Sequence, residues 1–151
     1  MGQQQLLLVI LVTIIVGIAT VVAINVFGTS AESANRDAVR QDVLTIAAAA
    51  QGWYIKPDMM GGGGNSFAGM TFRDINFSAE EINTAGTTAE NMNGTYIIDT
   101  SAGSSFTVTS HPSSDPTYSP SGAGEPGTGD FTAATDPMVA TIVKDGITWN
   151  S

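Results

Sequence analysis

The chain has 151 residues, no cysteine, and a net charge of −9 with only five lysines and arginines. That charge excludes the phosphate-neutralising patch of a nucleic-acid binder, and the missing cysteine excludes disulfide frameworks, thiolate zinc sites and cysteine nucleophiles. The 17 glycines and the many Ser, Thr and Asn suit one small domain with a loop-rich surface.

Leu6 to Phe27 reads LLLVILVTIIVGIATVVAINVF, 22 residues without a charge and with only Thr13, Thr20 and Asn25 as polar interruptions. As a helix it would span about 33 Å at 1.5 Å per residue. A bilayer's hydrocarbon core is about 30 Å thick, so the segment can cross a membrane once. The preceding Met-Gly-Gln-Gln-Gln is uncharged, and the run exceeds the roughly 7–15 residues of a signal peptide's apolar region. The expectation is a retained span rather than a cleaved signal.

Helical periodicity continues beyond Gly28. Val39, Val43, Ile46, Ala47, Ala50 and Tyr54 share one helix face. Glu32, Arg36, Asp37 and Arg40 lie on the other, with Glu32 and Arg36 in the favourable i, i+4 order. The Ala47–Ala50 run favours helix, and Pro57 stops it after Trp53, Tyr54 and Ile55. The pattern predicts one helix from Gln3 to Tyr54, about 75–80 Å long, with Gly17, Asn25 and Gly28 as the places where it could bend.

Residues 58–66 (DMMGGGGNS) read as a flexible connector. Strand signals follow: 68–77 around Met70, Phe72 and Ile75, then 95–99 and 105–110 joined by a hairpin loop, then 138–144. Asp145-Gly146 is a two-residue turn signal leading into 147–149. Within 78–94 a short helical turn is expected at 79–82. Residues 111–137, rich in Pro, Gly and Ser, exceed an ordinary connection and predict a surface loop anchored by Tyr118 and Phe131. The fold class is therefore α+β, one long N-terminal helix packed against a small antiparallel sheet. An apolar half-helix occupies 1–30 and a head occupies 31–151.

Catalytic signals are weak. Gly61–Gly64 lacks the lysine of a phosphate-binding loop and reads as a hinge. His111, the single histidine, has no second histidine or cysteine for a transition metal and reads as an exposed loop residue. Asp115, Glu125, Asp130 and Asp136 match no known calcium-loop spacing. No Ser-His-Asp set or glycosidase carboxylate pair stands out, and the aromatics suit a small core and subunit contacts. The expectation is a non-enzymatic protein without cofactor or metal. Asn76-Phe77-Ser78 and Asn93-Gly94-Thr95 are N-glycosylation sequons, so Asn76 and Asn93 are candidate modification sites alongside O-glycosylation of Ser and Thr.

A single N-terminal helix, apolar in its first half and amphipathic in its second, followed by a small antiparallel sheet, resembles the type IV pilin family. The resemblance covers the order of elements along the chain, and its specific part lies in the first 54 residues. It implies a subunit held in the cytoplasmic (inner) membrane by its apolar half-helix and then moved by pilus assembly machinery into an extracellular helical homopolymer. Leu6, Leu7, Leu8, Val9, Ile10, Leu11, Val12 and Ile14 would form the filament core, together with Ile15, Val16, Ile18, Val21, Val22, Ile24 and Phe27. Gln3, Gln4 and Gln5 would cap the tail by hydrogen bonding to a neighbour. Val39, Val43, Ile46, Ala47, Trp53 and Tyr54 would seat the head on the helix. The chain departs from the family in carrying Gln5 where a glutamate is usual, which removes a salt bridge to a neighbour's amine, and in having no basic leader before Met1. Two other readings are a pseudopilin or minor pilin of a secretion or uptake machine, and a single-pass membrane-tethered binding module.

Overall fold

The computed structural model describes residues 2–115 and 137–150. Helix α1 runs over Gly2–Ile55, within a residue of the expected span at either end. Six strands follow: β1 (Glu81–Ile82), β2 (Thr88–Asn91), β3 (Gly94–Asp99), β4 (Ser105–Pro112), β5 (Met138–Val143) and β6 (Gly146–Asn150). They pair in sequence order, each antiparallel to the next, as a single meander. The chain divides into two compact units, Met1–Ala34 and Asn35–Ser151, a boundary four residues beyond the expected one.

The head's core follows from two periodicities. On α1, Val39, Val43, Ile46, Ala47 and Ala50 are buried at helical spacing. On β4 and β5, burial alternates so that Phe106, Val108, Met138, Ala140 and Ile142 share the inner face. The register carries that face across the sheet, setting Tyr96 opposite Ser110, Ile98 opposite Val108, and Phe106 opposite Ile142. Ser110, polar but fully buried, satisfies its hydroxyl by donating to the Met138 carbonyl at 2.9 Å.

Between helix and sheet, residues 66–77 add Phe67, Met70, Phe72 and Ile75 to this core without forming the expected strand. Their spacing of three, two and three is not the period of two that a strand requires. Instead the segment turns repeatedly, at Gly69 (φ +78°) and Asn76 (φ +52°), and Asp74 closes one turn by accepting from the Thr71 amide and hydroxyl at 2.9 and 2.7 Å. Ring contacts knit it in: Tyr54 to Phe67 at 4.6 Å, Phe67 to Phe106 at 5.0 Å, and Phe77 edge-on to Tyr96 at 5.3 Å.

Three other expectations are corrected. The turn expected at 79–82 is the short strand β1, because Asn83 and Gly86 (φ +76°) make a hairpin loop in which the Asn83 carboxamide oxygen accepts from the Thr87 and Thr88 amides. The β5–β6 loop is Lys144-Asp145, since Gly146 already pairs with Val143. His111 is no exposed loop residue: it is the penultimate residue of β4, with 4% of its surface exposed, paired with Thr95. Burial pushes its pKa down, against a smaller upward pull from Asp115. Tyr118, Glu125, Asp130, Phe131 and Asp136 lie outside the described residues.

The glycine-rich connector is a hydrogen-bonded wrap over the helix end. The last carbonyls of a helix lack intrahelical donors. Here Gly63 N–H donates to the Trp53 carbonyl at 2.9 Å, Asn65 N–H to Tyr54 at 2.9 Å, and Gly64 N–H to Lys56 at 3.0 Å. A side chain at Gly63 would sit 2.1 Å from the Ser66 carbonyl oxygen and 2.4 Å from the Trp53 ring, whereas Gly61 (φ +72°) faces open space.

Two stability measurements follow. Gly63→Ala should cost about 3 kcal/mol through overpacking, and Gly61→Ala only about 1 kcal/mol of left-handed strain. Equal costs in chemical denaturation would contradict the close wrap. Because the folded-state pKa of His111 lies below its unfolded value, its contribution is full above about pH 6.5 and is lost as pH falls below that. Melting between pH 7 and 5 should therefore fall more steeply for the native head than for His111→Phe. Parallel pH profiles would count against a buried neutral imidazole.

Candidate assembly surface

Residues 6–27 present apolar side chains on every side of α1. Each of the large ones is half or more exposed, from 49% at Val12 to 75% at Phe27. The helix is long and apolar enough to cross a membrane, with a mean hydropathy of 3.2 over 18 residues, none of them buried. Its few polar groups are turned inward. Thr13 donates to the Ile10 carbonyl at 2.8 Å and Thr20 to Val16 at 2.8 Å, while Thr29 bonds back to Asn25 and Val26 and Ser33 back to Thr29. Threonines on a lone apolar helix thus spend their hydroxyls on their own backbone rather than across helices.

One strip of this surface is concave. Ile15, Ile18, Ala19, Val22, Ala23, Val26 and Phe27 line a shallow apolar groove, with the small Ala19 and Ala23 at i, i+4 as its floor. Small residues at that spacing let a second helix approach closely. Gly17 and Gly28 likewise face open space. Gln3, Gln4 and Gln5 are exposed in the first turn of α1, where several backbone N–H groups have no intrahelical acceptor.

The head-seating residues divide by depth. Val39, Val43, Ile46 and Ala47 are buried, whereas Trp53 and Tyr54 are half-buried. Asn76 is exposed on its turn, and Asn93 is half-buried.

A polar seam beside the core escaped the sequence reading. The Asp42 carboxylate, on α1, accepts from the Tyr96 hydroxyl at 2.6 Å, the Asn93 amide at 2.8 Å and the Asn91 amide at 2.9 Å, all through Oδ2. About two turns earlier, Asn35 donates to the Asn93 carbonyl at 3.0 Å and accepts from the Ser114 amide and hydroxyl at 3.1 and 2.8 Å. Together they tie α1 to the β2–β3 turn and to the end of β4. The signal was in the spacing: residues 35 and 42 fall on the same stripe as 39, 43 and 46, so polar groups there face the sheet rather than water.

Charge-assisted hydrogen bonds of this kind are each worth about 1.5–3 kcal/mol. Tyr96→Phe should cost an amount in that range. Asp42→Ala should cost about 3 kcal/mol or more, because three donors lose their acceptor. The double variant should cost less than the sum, since the two residues share a bond. Strict additivity in urea unfolding would show that the seam contributes nothing of its own.

Among the described residues, no group of three or more His, Cys, Asp or Glu side chains is placed to hold a metal ion. No protein-family model matches the chain, and neither a curated protein nor a solved structure matches it.

Proposed function

We propose that the protein is the structural subunit of an extracellular helical filament, polymerised through residues 6–27 of α1 after a membrane-inserted stage. The observation that carries this reading is the unbroken helical assignment from the exposed apolar span into the buried stripe of the head. A tethered binding module is served by a loose linker after its span. A filament subunit is served by a span that continues directly into the head's own helix.

The energetics favour a built rather than a self-assembling polymer. Apolar helices gain little by associating in lipid, which is as apolar as leucine. In a bundle surrounded by water they remove apolar area at about 25 cal/mol per Å². A span of this length could bury on the order of 1,500 Å², a gross gain of tens of kcal/mol before ordering costs. Transfer from membrane to bundle is thus nearly neutral for the tail, and escape into water is not. The cytoplasmic membrane and a dedicated assembly machine are the partners this scheme requires.

Electron cryo-microscopy of material sheared from producing cells, imaged without detergent, tests the proposal. Uniform fibres with residues 6–27 along the axis are expected. Ile15→Lys should abolish them, because a charge at the span's centre costs about 2.5–3.5 kcal/mol on membrane insertion alone. Normal fibres from that variant, or recovery of the native chain only in detergent extracts without fibres, would overturn the reading.

A further inference from the structure

The two sequons sit in opposite structural states. Asn93 is fully engaged: its side-chain amide donates to Asp42, its backbone N–H donates to the Asn91 side chain at 2.9 Å, and its carbonyl accepts from Asn35 and from the Ser113 amide. The rest of that sequon is locked as well. A side chain at Gly94 would meet the His111 carbonyl oxygen at 2.1 Å, and Thr95 lies 0% exposed between its strand neighbours Glu90 and His111. A transferase that must hold both the asparagine amide and the hydroxyl two residues on finds the amide already bonded to Asp42 and the hydroxyl residue buried.

Asn76 differs at each point. It is exposed on a turn with φ +52°, outside any strand, and its amide donates to no described residue. Ser78, which supplies the hydroxyl of this sequon, is exposed on the wall of an open polar cleft that Asp42, Asn91 and Asn93 also line. The two sequons thus differ in their hydrogen bonding and in the burial of the hydroxyl residue, not in access to this cleft. Between them Phe77 is anchored on the core, 5.5 Å from Phe72 and 5.3 Å from Tyr96, so the turn is presented from a fixed base. Surface turns are where asparagine-linked glycans are accommodated.

We infer that Asn76 is an asparagine-linked glycan acceptor of the folded head and that Asn93 is a structural asparagine only. In the transfer, the Asn76 Nδ2 forms a bond to the anomeric carbon of a lipid-pyrophosphate-linked oligosaccharide. The bond from that carbon to the pyrophosphate oxygen breaks, the lipid pyrophosphate leaves with the electron pair, and one amide proton passes to the transferase. The same reaction at Asn93 would replace one of its two Nδ2 protons with a sugar on the very nitrogen that donates to Asp42, crowding the folded seam. This assignment concerns the head alone and stands or falls independently of filament assembly.

The test uses the full chain in detergent micelles with a purified single-subunit oligosaccharyltransferase and a polyprenyl-pyrophosphate-linked oligosaccharide ending in N-acetylglucosamine. Occupancy of each asparagine is read by peptide mass mapping, and a reference sequon peptide confirms that the enzyme is active. Free peptides covering 72–80 and 89–97 report acceptance without the fold. Asn76 should be modified about tenfold faster than Asn93 or more in the folded chain, since the Asn93 sequon is freed from its bonds and burial only through local opening. The two free peptides should differ far less. Ser78→Ala, which leaves the left-handed backbone at Asn76 untouched, should abolish the adduct with little change in melting temperature. Modification of Asn93 in the folded chain as fast as Asn76 overturns the inference, and so does the absence of any adduct at Asn76.

Discussion

An α-helix satisfies its backbone polar groups within itself, and that constraint governs everything else in this molecule. Because the backbone of α1 needs nothing from its surroundings along residues 6–27, the side chains alone decide where that stretch can reside. They are apolar apart from Thr13, Thr20 and Asn25, and the large ones are exposed. A membrane interior or a sheath of similar helices accepts such a surface; water does not. The same helix then changes character by changing only its side chains, and from Asn35 onward its stripe of Val39, Val43, Ile46 and Ala47 belongs to a compact core.

The head is organised so that the helix end and the sheet are each fixed by groups the other supplies. The backbone of residues 63–65 returns to the terminal carbonyls of α1, and the carboxylate of Asp42 collects donors from the β2–β3 turn and from β3. Hydrophobic burial is non-directional and would tolerate sliding of a slim alanine-bearing stripe over the sheet. Hydrogen bonds to a single carboxylate oxygen are directional, and they set where along the stripe the sheet must sit. Asn35, about two turns away, adds a second fixed point just past the end of β4.

Much of this was legible in the residues. The apolar run defines the first half of α1 by its length, and the 39/43/46/47 stripe defines the second by its 3.6-residue period. The hairpin of β3 and β4 was legible because alternation and turn chemistry agree there. What stayed hidden depended on contacts distant in sequence. Phe67, Met70, Phe72 and Ile75 are buried by a chain of turns, and burial without a regular period imitates a broken strand. His111 is covered because β4 continues two residues beyond the expected end, which proline permits at a strand's last position. The tetraglycine stretch seemed loose because glycine's freedom in the unfolded chain says nothing of the close approach that only glycine allows in the folded one. Asp42 and Asn35 looked like ordinary surface residues until their place on the stripe was matched with a polar turn across the seam.

The inward-turned hydroxyls of Thr13 and Thr20 have a mechanical consequence. With those groups satisfied by their own helix, the outer surface from Leu6 to Val22 carries no polar mark by which a neighbouring helix could recognise one axial position over another. In a bundle of such helices, resistance to sliding along this stretch would come from interlocking side chains, such as those around Ala19 and Ala23. A bundle of such rods would yield lengthwise under tension while still resisting separation, behaving as an extensible cable rather than a brittle one.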